Sequence, residues 1–452
     1  MRIVIAGAGE VGTHLAKLLS REDMEISLLD ESQERLGDLS ANYDMLTKTG
    51  NPTSIRDLRE IGVKDCDLFI SVTPHETENM TACLIANSLG AKRTLARIDN
   101  YEYLLPENRK FFENMGLNHL IYPEVLAANE IEESLRTNWM RYHLHLGQGA
   151  LELCVIKVRA SAKILGKTFA SGVYNHNKYR IVAIKRGQDT IIPRGQDCVL
   201  ENDMVYCVCP KEYMEFMREE LGKSKREIKN VFFFGGGRIA RKAATELNEE
   251  MNIKIIEKDR ELCNVLSDKV PNALIINADG SDMEVLKEEG IQDADAFVAV
   301  TDSSEANIFA CLAANRFGVR KTIAEVENLD YIPMAEGLDI GTVLNKKTIA
   351  ASYIYQMLLD ASVRGVHNLT SADAEIVEFE AKEDSLITKH KVRELDLPAE
   401  ANIGGIVRAG EGVLVTGETQ IIPGDLVVLF CKSHVIRNLE RFFKCHEHST
   451  GA

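Results

Sequence analysis

The chain has 452 residues, of which 45% are hydrophobic, and its formal net charge at pH 7 is −16. This length predicts three or four domains of ordinary size, and the acidic balance argues against DNA or RNA as a partner and against direct adhesion to anionic lipid. Every apolar run is shorter than the roughly 20 residues that span a bilayer, and ten cysteines without paired spacing favour buried thiols in a reducing cytosol.

The first predicted elements form a βαβ unit. Residues 3–6 are a short β-branched strand close to the first residue, so we expect no signal peptide. An amphipathic helix starts near Thr13, and residues 25–29 form a second strand that ends at Asp30. Between the first strand and the helix lies a glycine-rich loop, Gly7-Ala8-Gly9-Glu10-Val11-Gly12. A dinucleotide-binding unit requires this order.

Each key position of this unit has a predicted role. Gly7 permits a tight turn, Gly9 lets the backbone approach a pyrophosphate, and Gly12 lets the helix lie close to the sheet. The helix N-terminus offers free N–H groups and a partial positive charge to phosphates. Asp30 would accept hydrogen bonds from ribose hydroxyls and repel a 2′-phosphate. We therefore predict an adenine nucleotide with a free 2′-hydroxyl, either NAD(H) or ATP/ADP, and the alternative is a purely structural turn.

Further strands bring more candidate residues to the same edge. Residues 68–72 and 93–98 are the fourth and fifth strands, after a third that follows residues 41–44, and helices are predicted at 79–89, 111–115 and 125–135. Because the carboxyl ends of parallel strands meet at the ligand crevice, the site gains the residues that end these strands: Thr49, Gly50, Asn51, Thr73, Pro74 and Arg97. The Arg97 guanidinium can hold a phosphate through two hydrogen bonds, and the alternative is a surface salt bridge with Asp99 or Glu102.

The next segment is typical of an antiparallel sheet. Residues 151–158 alternate like an exposed antiparallel strand, residues 179–187 and 190–193 resemble a hairpin, and residues 203–208 form another strand. His143 and His145 stand two apart, so on a strand they share one face and could bind a metal ion. No carboxylate or cysteine follows at ligand spacing, which favours half-exposed strand positions instead.

His446 and His448 lie in a polar C-terminal tail and offer at most weak metal binding. We therefore predict no metal site.

The second half of the chain repeats the first. Thr73, Asn79 and Cys83 recur 228 positions later as Thr301, Asn307 and Cys311. The antiparallel pattern also returns, at residues 374–379, 403–408, 413–415 and 425–430. By this correspondence the second candidate site comprises Gly235, Gly237, Arg238, Ile239, Glu257, Asp279 and Thr301.

Two substitutions separate the copies. Gly12 becomes Ala240, which such a loop tolerates. Arg97 becomes Glu325, whose charge would repel phosphates. We therefore expect the second site to be weaker, empty or suited to a ligand with less phosphate charge.

The predicted fold class is α/β with a tandem duplication. Each half combines a Rossmann-like, doubly wound parallel sheet with a small α+β lobe. The predicted limits are 1–137 and 138–222 in the first half and 229–362 and 363–449 in the second, and residues 223–227 are the linker.

This organisation resembles the TrkA family, the cytoplasmic regulatory proteins of potassium uptake. The matching residues are the first strand with its glycine loop, Asp65-Cys66-Asp67 before Val72-Thr73, Glu78-Asn79-Met80 and Ala96-Arg97-Ile98. The resemblance covers essentially the whole chain and implies two RCK (KTN) domains, each followed by a TrkA-C lobe. It implies a homodimer whose four Rossmann lobes form a nucleotide-sensing ring at the inner face of the plasma membrane. The implied partner is a membrane-embedded potassium-transporting subunit of the TrkH/TrkG kind, and no catalysis is implied.

Two other functions stay open from the residues alone. The first is an RCK regulator of another cation channel or antiporter, which has the same physical basis. The second is an NAD-dependent oxidoreductase, which normally adds a substantial catalytic domain with an acid/base group facing the nicotinamide. The small lobe and the repeat that follows it favour ligand sensing over catalysis.

Overall fold

The structure is a computed structural model that describes residues 1–20, 24–171, 177–187, 189–224, 227–358, 363–369, 374–432 and 435–443. Within these residues the strands form two six-stranded parallel sheets and two five-stranded antiparallel sheets, one of each in each half. The predicted α/β duplication is confirmed. None of the helices in the described ranges combines the length and the apolar character that crossing a bilayer requires.

The first α/β lobe is a doubly wound sheet with strand order β3-β2-β1-β4-β5-β6. Its strands are β1 (Arg2–Ala6), β2 (Glu25–Asp30), β3 (Leu46–Thr49), β4 (Leu68–Ser71), β5 (Thr94–Arg97) and β6 (His119–Ile121). Its helices are α1 (Glu10–Leu19), α2 (Gln33–Asn42), α3 (Ile55–Glu60), α4 (Glu76–Leu89), α5 (Pro106–Asn114) and α6 (Pro123–Arg136). The order reverses between β1 and β4, where α/β sheets of this kind bind ligands.

The first small lobe follows α6 and has strand order β10-β9-β11-β8-β7. Its elements are β7 (Tyr142–Leu146), β8 (Leu151–Lys157), β9 (Arg180–Arg186), β10 (Asp189–Ile191), β11 (Met204–Pro210) and α7 (Met214–Glu220). The predicted hairpin is β9 with β10, which pair antiparallel.

The second α/β lobe repeats the first, with strand order β14-β13-β12-β15-β16-β17. Its strands are β12 (Asn230–Phe234), β13 (Asn252–Glu257), β14 (Leu274–Asn277), β15 (Ala296–Ala299), β16 (Lys321–Glu325) and β17 (Thr342–Leu344). Its helices are α8 (Arg238–Leu247), α9 (Arg260–Lys269), α10 (Met283–Glu288), α11 (Ser304–Arg316), α12 (Ile332–Gly337) and α13 (Lys346–Leu358).

The second small lobe has strand order β18-β19-β22-β20-β21. Its elements are β18 (Val363–Leu369), β19 (Ala374–Glu380), α14 (Leu386–Lys389), β20 (Ala401–Arg408), β21 (Glu411–Val413), β22 (Leu426–Cys431) and α15 (Ile436–Phe443). The tail with His446 and His448 lies outside the described residues, as do Lys225 and Arg226 of the predicted linker.

The two small lobes pack face to face. Leu151 and Leu153 of β8 lie in one buried cluster with Ile376 of β19 and Val428 of β22. The other face of β8, which carries Cys154, is buried inside the first small lobe. The expectation that this strand is exposed is therefore wrong, because a neighbouring lobe covers the face that a single sheet would leave to water.

Each half also packs a helix against the α/β lobe of the other half. Ala127 and Ile131 of α6 lie in a buried cluster with Phe233 and Ala240 of the second α/β lobe. The corresponding helix of the second half, α13, packs against α1 of the first α/β lobe. Each α/β lobe is thus completed by a helix from the other half. The predicted domain limits stay predictions. Several buried clusters contain residues from both halves of the chain.

Candidate functional site

The first glycine loop makes a tight turn from β1 into α1. Gly7 has a φ of +106°, a conformation that favours glycine, and its N–H donates to the carbonyl of Leu29 in β2 at 2.8 Å. A Cβ at Gly12 would lie 1.9 Å from the carbonyl oxygen of Gly7. A Cβ at Gly9 would have no described atom within 4 Å. The turn itself therefore requires Gly7 and Gly12, whereas Gly9 keeps the backbone open to an incoming group.

The second glycine loop has the same geometry. Gly235 has a φ of +94°, and a Cβ there would lie 2.9 Å from the side chain of Thr301. Gly237, like Gly9, has open space where a Cβ would stand. Ala240 is buried at the position of Gly12.

Neither of the helices that follow these loops has a side-chain cap at its N-terminus. Gly9 precedes α1 and Gly237 precedes α8, whereas Ser32 caps α2 and Asp259 caps α9 through side-chain oxygens. Within the described part of the chain, the first N–H groups of α1 and α8 therefore lack a side-chain cap and are left for another acceptor. A phosphate is the acceptor that such a helix N-terminus suits best.

The acidic residues that end the second strand of each lobe hold the glycine loops. Asp30 is buried and accepts the N–H of Ala8 at 2.6 Å and the N–H of Ser32 at 2.8 Å. Glu257 accepts the N–H of Gly236 at 2.7 Å and that of Asp259 at 2.8 Å. Each carboxylate has further lone pairs for a ribose hydroxyl. Glu257 therefore corresponds to Asp30 both in its place in the repeat and in the hydrogen bonds that it accepts.

Several predicted binding residues have buried side chains. Ala8, Val11 and Ile239 point into the core, so only their backbone can meet a ligand. The N–H of Ala8 is already bound to Asp30.

The ends of the third strands lie beside these acids. Gly50 donates its N–H to the carbonyl of Asp30 at 3.0 Å, and the Asn51 side chain donates to Glu31 at 2.7 Å. Thr49 is exposed at the end of β3. In the second lobe, Asp279 accepts the N–H and the hydroxyl of Ser281.

A buried asparagine joins the ends of the fourth and fifth strands in each lobe. Asn79 accepts the N–H of Thr73 at 2.8 Å and donates to the carbonyls of Thr73 and Arg97, both at 3.0 Å. Asn307 makes the same bonds with Thr301 and Glu325. In the sequence these asparagines stood out as repeated positions, and nothing there indicated that they join two strand ends. Pro74, next to Thr73, is exposed.

Arg97 lies at the carboxyl end of β5 between two carboxylates. Its guanidinium lies 3.8 Å from Glu124 at the start of α6 and 4.0 Å from Asp99. The Nε of Arg97 and one carboxylate oxygen of Glu124 are buried without a hydrogen-bond partner among the described residues. The contact with Asp99 is the salt bridge that the sequence offered as the alternative to phosphate binding. Both carboxylates, however, lie farther from the guanidinium than hydrogen-bonding distance. The guanidinium thus keeps hydrogen-bonding capacity for a further group.

Glu325, at the position of Arg97, is buried beside a lysine. Lys346 Nζ lies 3.4 Å from its carboxylate and also contacts Glu327. Burial raises the pKa of Glu325 to about 7, although Lys346 opposes the shift. The second site is therefore less negative than its sequence suggested, since burial favours the neutral form of the carboxyl and a cation stands next to it.

The two candidate sites meet across the interface between the halves. Glu10, the first residue of α1, forms an ion pair with Lys347 of α13, which also lies 3.0 Å from Glu327. Arg238, the first residue of α8, lies 3.4 Å from Asp99 of the first lobe. A group bound at either glycine loop therefore lies next to a residue of the other half.

Comparison with known proteins agrees with this arrangement. The family model of the TrkA-N domain matches residues 3–123 and 231–346, and that of the TrkA-C domain matches residues 376–444. The protein named Trk system potassium uptake protein TrkA from Haemophilus influenzae is 30% identical over 452 residues, which cover 98% of this chain and 99% of that protein. The chain belongs to the TrkA family.

Solved structures share the fold of this TrkA-family chain. The crystal structure of the GsuK RCK domain is 16% identical with a TM-score of 0.59, covering 98% of this chain and 94% of that one. The GsuK channel bound to NAD has the same identity and TM-score, covering 98% of this chain and 78% of that one. At this identity the likeness shows the fold alone.

The structure places His143 and His145 differently from the sequence interpretation. They share one face of β7, as predicted, but two carboxylates join them: Glu133 of α6 and Glu152 of β8. Burial works against a charged His143, yet its hydrogen bonds with Glu133 and Glu152 raise its pKa to about 9. The sequence interpretation missed Glu133 because it precedes the histidines, on a helix. It missed Glu152, which follows them, because the spacing is not that of a typical ligand and the strand looked exposed.

Proposed function

We propose that this chain is the nucleotide-binding cytoplasmic regulatory subunit of a Trk-type potassium uptake system. The observation that carries the proposal is the pair of open glycine loops whose helices begin at the interface between the halves. Membership of the TrkA family and the name of the Haemophilus influenzae relative support potassium uptake as the process.

In this proposal the first site binds NAD(H) or ATP/ADP at the glycine loop. The open backbone at Gly9 and the uncapped N-terminus of α1 hold the phosphates. Asp30 accepts a ribose hydroxyl with the lone pairs that its backbone bonds leave free. Arg97 contributes a charge-assisted hydrogen bond to a phosphate. The second site uses Gly237, Glu257 and the end of β15 in the same way.

Nucleotide binding acts on the shape of the molecule through the contacts between the halves. A ligand at the first loop lies beside the Glu10–Lys347 pair, and a ligand at the second lies beside Arg238 and Asp99. A nucleotide that binds one arrangement of the halves better shifts the population towards it. Typical couplings of about 1–3 kcal/mol change affinities roughly 5- to 150-fold.

The functional assembly in this proposal is a homodimer with four α/β lobes in a ring. Exposed apolar side chains support it, because they recur at equivalent places in the two halves. Phe111 and Met115 are exposed at α5, and Met334 and Leu338 are exposed at α12. Apolar side chains that recur in this way are typical of protein–protein contacts. The ring docks on the inner face of the plasma membrane through a TrkH/TrkG-like subunit.

The proposed role is regulatory and includes no catalysis. At the glycine loops, Asp30 and Glu257 are held in hydrogen bonds that shape the turn, and Glu10 is paired with Lys347. We expect no NADH oxidation with an added 2-oxo acid.

Potassium flux through a reconstituted system tests the proposal. A TrkH/TrkG-like subunit in liposomes, loaded with the purified chain, should conduct potassium at a rate that changes when NADH, NAD, ADP or ATP is added. The Gly9→Ala variant should bind the same membrane subunit but lose the nucleotide response. A flux that is identical with and without the chain would contradict the proposal, and a response restricted to another cation transporter would favour the alternative regulator.

A further inference from the structure

Two histidines and two glutamates from three elements meet where the first α/β lobe joins the first small lobe. His143 and His145 stand on β7, Glu152 is directly opposite His145 on β8, and Glu133 comes from α6. The Nδ1 of His143 lies 2.7 Å from Glu133, and its Nε2 lies 2.8 Å from Glu152. The Nδ1 of His145 lies 2.7 Å from the same oxygen of Glu152.

Three of these residues have ligand atoms close enough together for one ion to bind them. One ligand atom from each of Glu133, His143 and His145 lies within 4.8 Å of the other two. A zinc ion binds nitrogen and oxygen ligands at about 2.0–2.2 Å, which sets tetrahedral ligand atoms roughly 3.3 Å apart. Small side-chain rotations therefore suffice to bring Glu133, His143 and His145 to that spacing. Glu152 faces the other ring nitrogen of His143 from Glu133, so it orients the imidazole instead.

The cluster has a fixed inner part and an accessible outer part. The side chains of His143 and Glu152 are 5% and 1% exposed, whereas those of His145 and Glu133 are 59% and 41% exposed. A cavity of about 350 Å³ lined by Glu133 and His143 opens beside them. An ion from solvent therefore meets Glu133 and His145 first and then finds the imidazole of His143, which packing and Glu152 already hold in place.

We propose that Glu133, His143 and His145 bind a transition-metal dication of the Zn²⁺ type, with the Glu152 carboxylate beside the two imidazoles. Imidazole and carboxylate are the ligands of such ions, and two carboxylates balance the charge of a dication. The ion replaces the protons that the imidazoles and carboxylates now share, and those protons leave to solvent. This proposal is independent of nucleotide binding.

Metal binding at this place joins two parts of the molecule. Glu133 belongs to α6, which packs on the second α/β lobe, whereas His143 and His145 belong to β7 of the first small lobe. A bound ion therefore fixes the first small lobe relative to a helix that both α/β lobes use.

Zinc titration of the purified full chain by calorimetry tests the proposal, with cobalt absorption spectra as the second readout. The informative variants are His145→Gln and Glu133→Gln, because both side chains are partly exposed and their loss leaves the core intact. His390→Gln, on the exposed surface of the second small lobe, is the matched control. A double variant, His446→Gln with His448→Gln, removes the histidines of the tail.

We expect one zinc ion per chain in the wild type, the His390→Gln control and the tail variant. His145→Gln and Glu133→Gln should each weaken zinc binding at least about tenfold while melting like the wild type without metal. Cobalt should show a tetrahedral spectrum without a thiolate band. The proposal fails if His145→Gln binds zinc as the wild type does, if the tail variant abolishes binding, or if a thiolate band shows that cysteines are the ligands.

Discussion

Arg238 and Asp99 lie 3.4 Å apart although they belong to different halves of the chain. Arg238 begins the helix after the second glycine loop, and Asp99 follows the strand that carries Arg97 to the first site. The ion pair of Glu10 with Lys347 repeats this relationship in the other direction, with the charges exchanged. The two candidate sites are thus joined by electrostatic contacts at the starts of their helices.

Reversing the charge of Lys347 should weaken the contact between the halves. Lys347→Glu places a third carboxylate beside Glu10 and Glu327, and like charges at this distance repel. We expect a lower melting temperature without ligand, which the double variant Lys347→Glu with Glu10→Lys partly restores. An unchanged melt for the single variant would show that the pair contributes nothing to the interface.

Arg97 and Glu325 should differ in their importance for nucleotide binding. Losing a charge-assisted hydrogen bond costs about 1.5–3 kcal/mol, so Arg97→Glu should weaken the tight site at least about tenfold in calorimetry. Arg97→Gln separates lost attraction from the added repulsion by Glu124 and Asp99. Glu325→Arg should leave the tight site unchanged. If Arg97→Glu binds normally while Gly237→Asp abolishes tight binding, the tight site belongs to the second half.

The first site should prefer NAD to NADP. In the proposed binding mode, the carboxylate of Asp30 lies where the 2′-phosphate of NADP would have to fit, and both are negative. We expect NAD to bind at least about tenfold more tightly in competition titrations. Arg35, whose guanidinium lies 3.9 Å from Asp30, provides a second variant. Because Arg35 is a cation near the same place, Arg35→Ala should increase the preference for NAD over NADP. Equal affinities for NAD and NADP in the wild type would contradict this role of Asp30.

The raised pKa of Glu325 should make stability depend on pH. Its pKa rises from 4.5 to about 7 on folding because burial disfavours the charged form. The folded chain therefore holds the proton more tightly than the unfolded chain. This contribution to stability is fully present below pH 4.5 and is lost as the pH rises through about 7.

Glu325→Gln removes this dependence. Relative to the wild type, the variant should gain stability between about pH 5 and about pH 8, by at most about 3 kcal/mol. Thermal melts at both pH values measure the gain, and Glu288→Gln on the exposed face of α10 is the control. A difference between Glu325→Gln and wild type that is the same at both pH values would show that Glu325 titrates normally.

The sequence predicted what depends on local pattern. The glycine loops, the strands around them and the duplication follow from short motifs and from a repeat that keeps its spacing. The three-residue strand β6 went unrecognised because His119–Ile121 is too short to show a period. The strand at 151–158 looked exposed because Glu152 interrupts its apolar residues, yet that carboxylate is buried against His143 and His145.

The sequence did not predict contacts between residues that lie far apart in the chain. Glu124 lies beside Arg97 only because α6 starts where β5 ends, and no spacing rule connects them. Lys347 reaches Glu10 because the halves exchange helices, which depends on how complete lobes pack. The repeat places Glu325 at the position that corresponds to Arg97. It could not show that Lys346 lies beside Glu325.

Two glycine variants test whether a nucleotide binds at the first glycine loop. A Cβ at Gly9 meets nothing in the described chain, so Gly9→Ala should fold and melt like the wild type while blocking the approach of phosphates. Gly37→Ala in α2 has equally open space and is the matched control. Calorimetric titration with NADH and with ADP should show tight binding to the wild type and to Gly37→Ala, and at least about tenfold weaker binding to Gly9→Ala. Unchanged affinity in Gly9→Ala for the nucleotide that the wild type binds tightly would contradict the account.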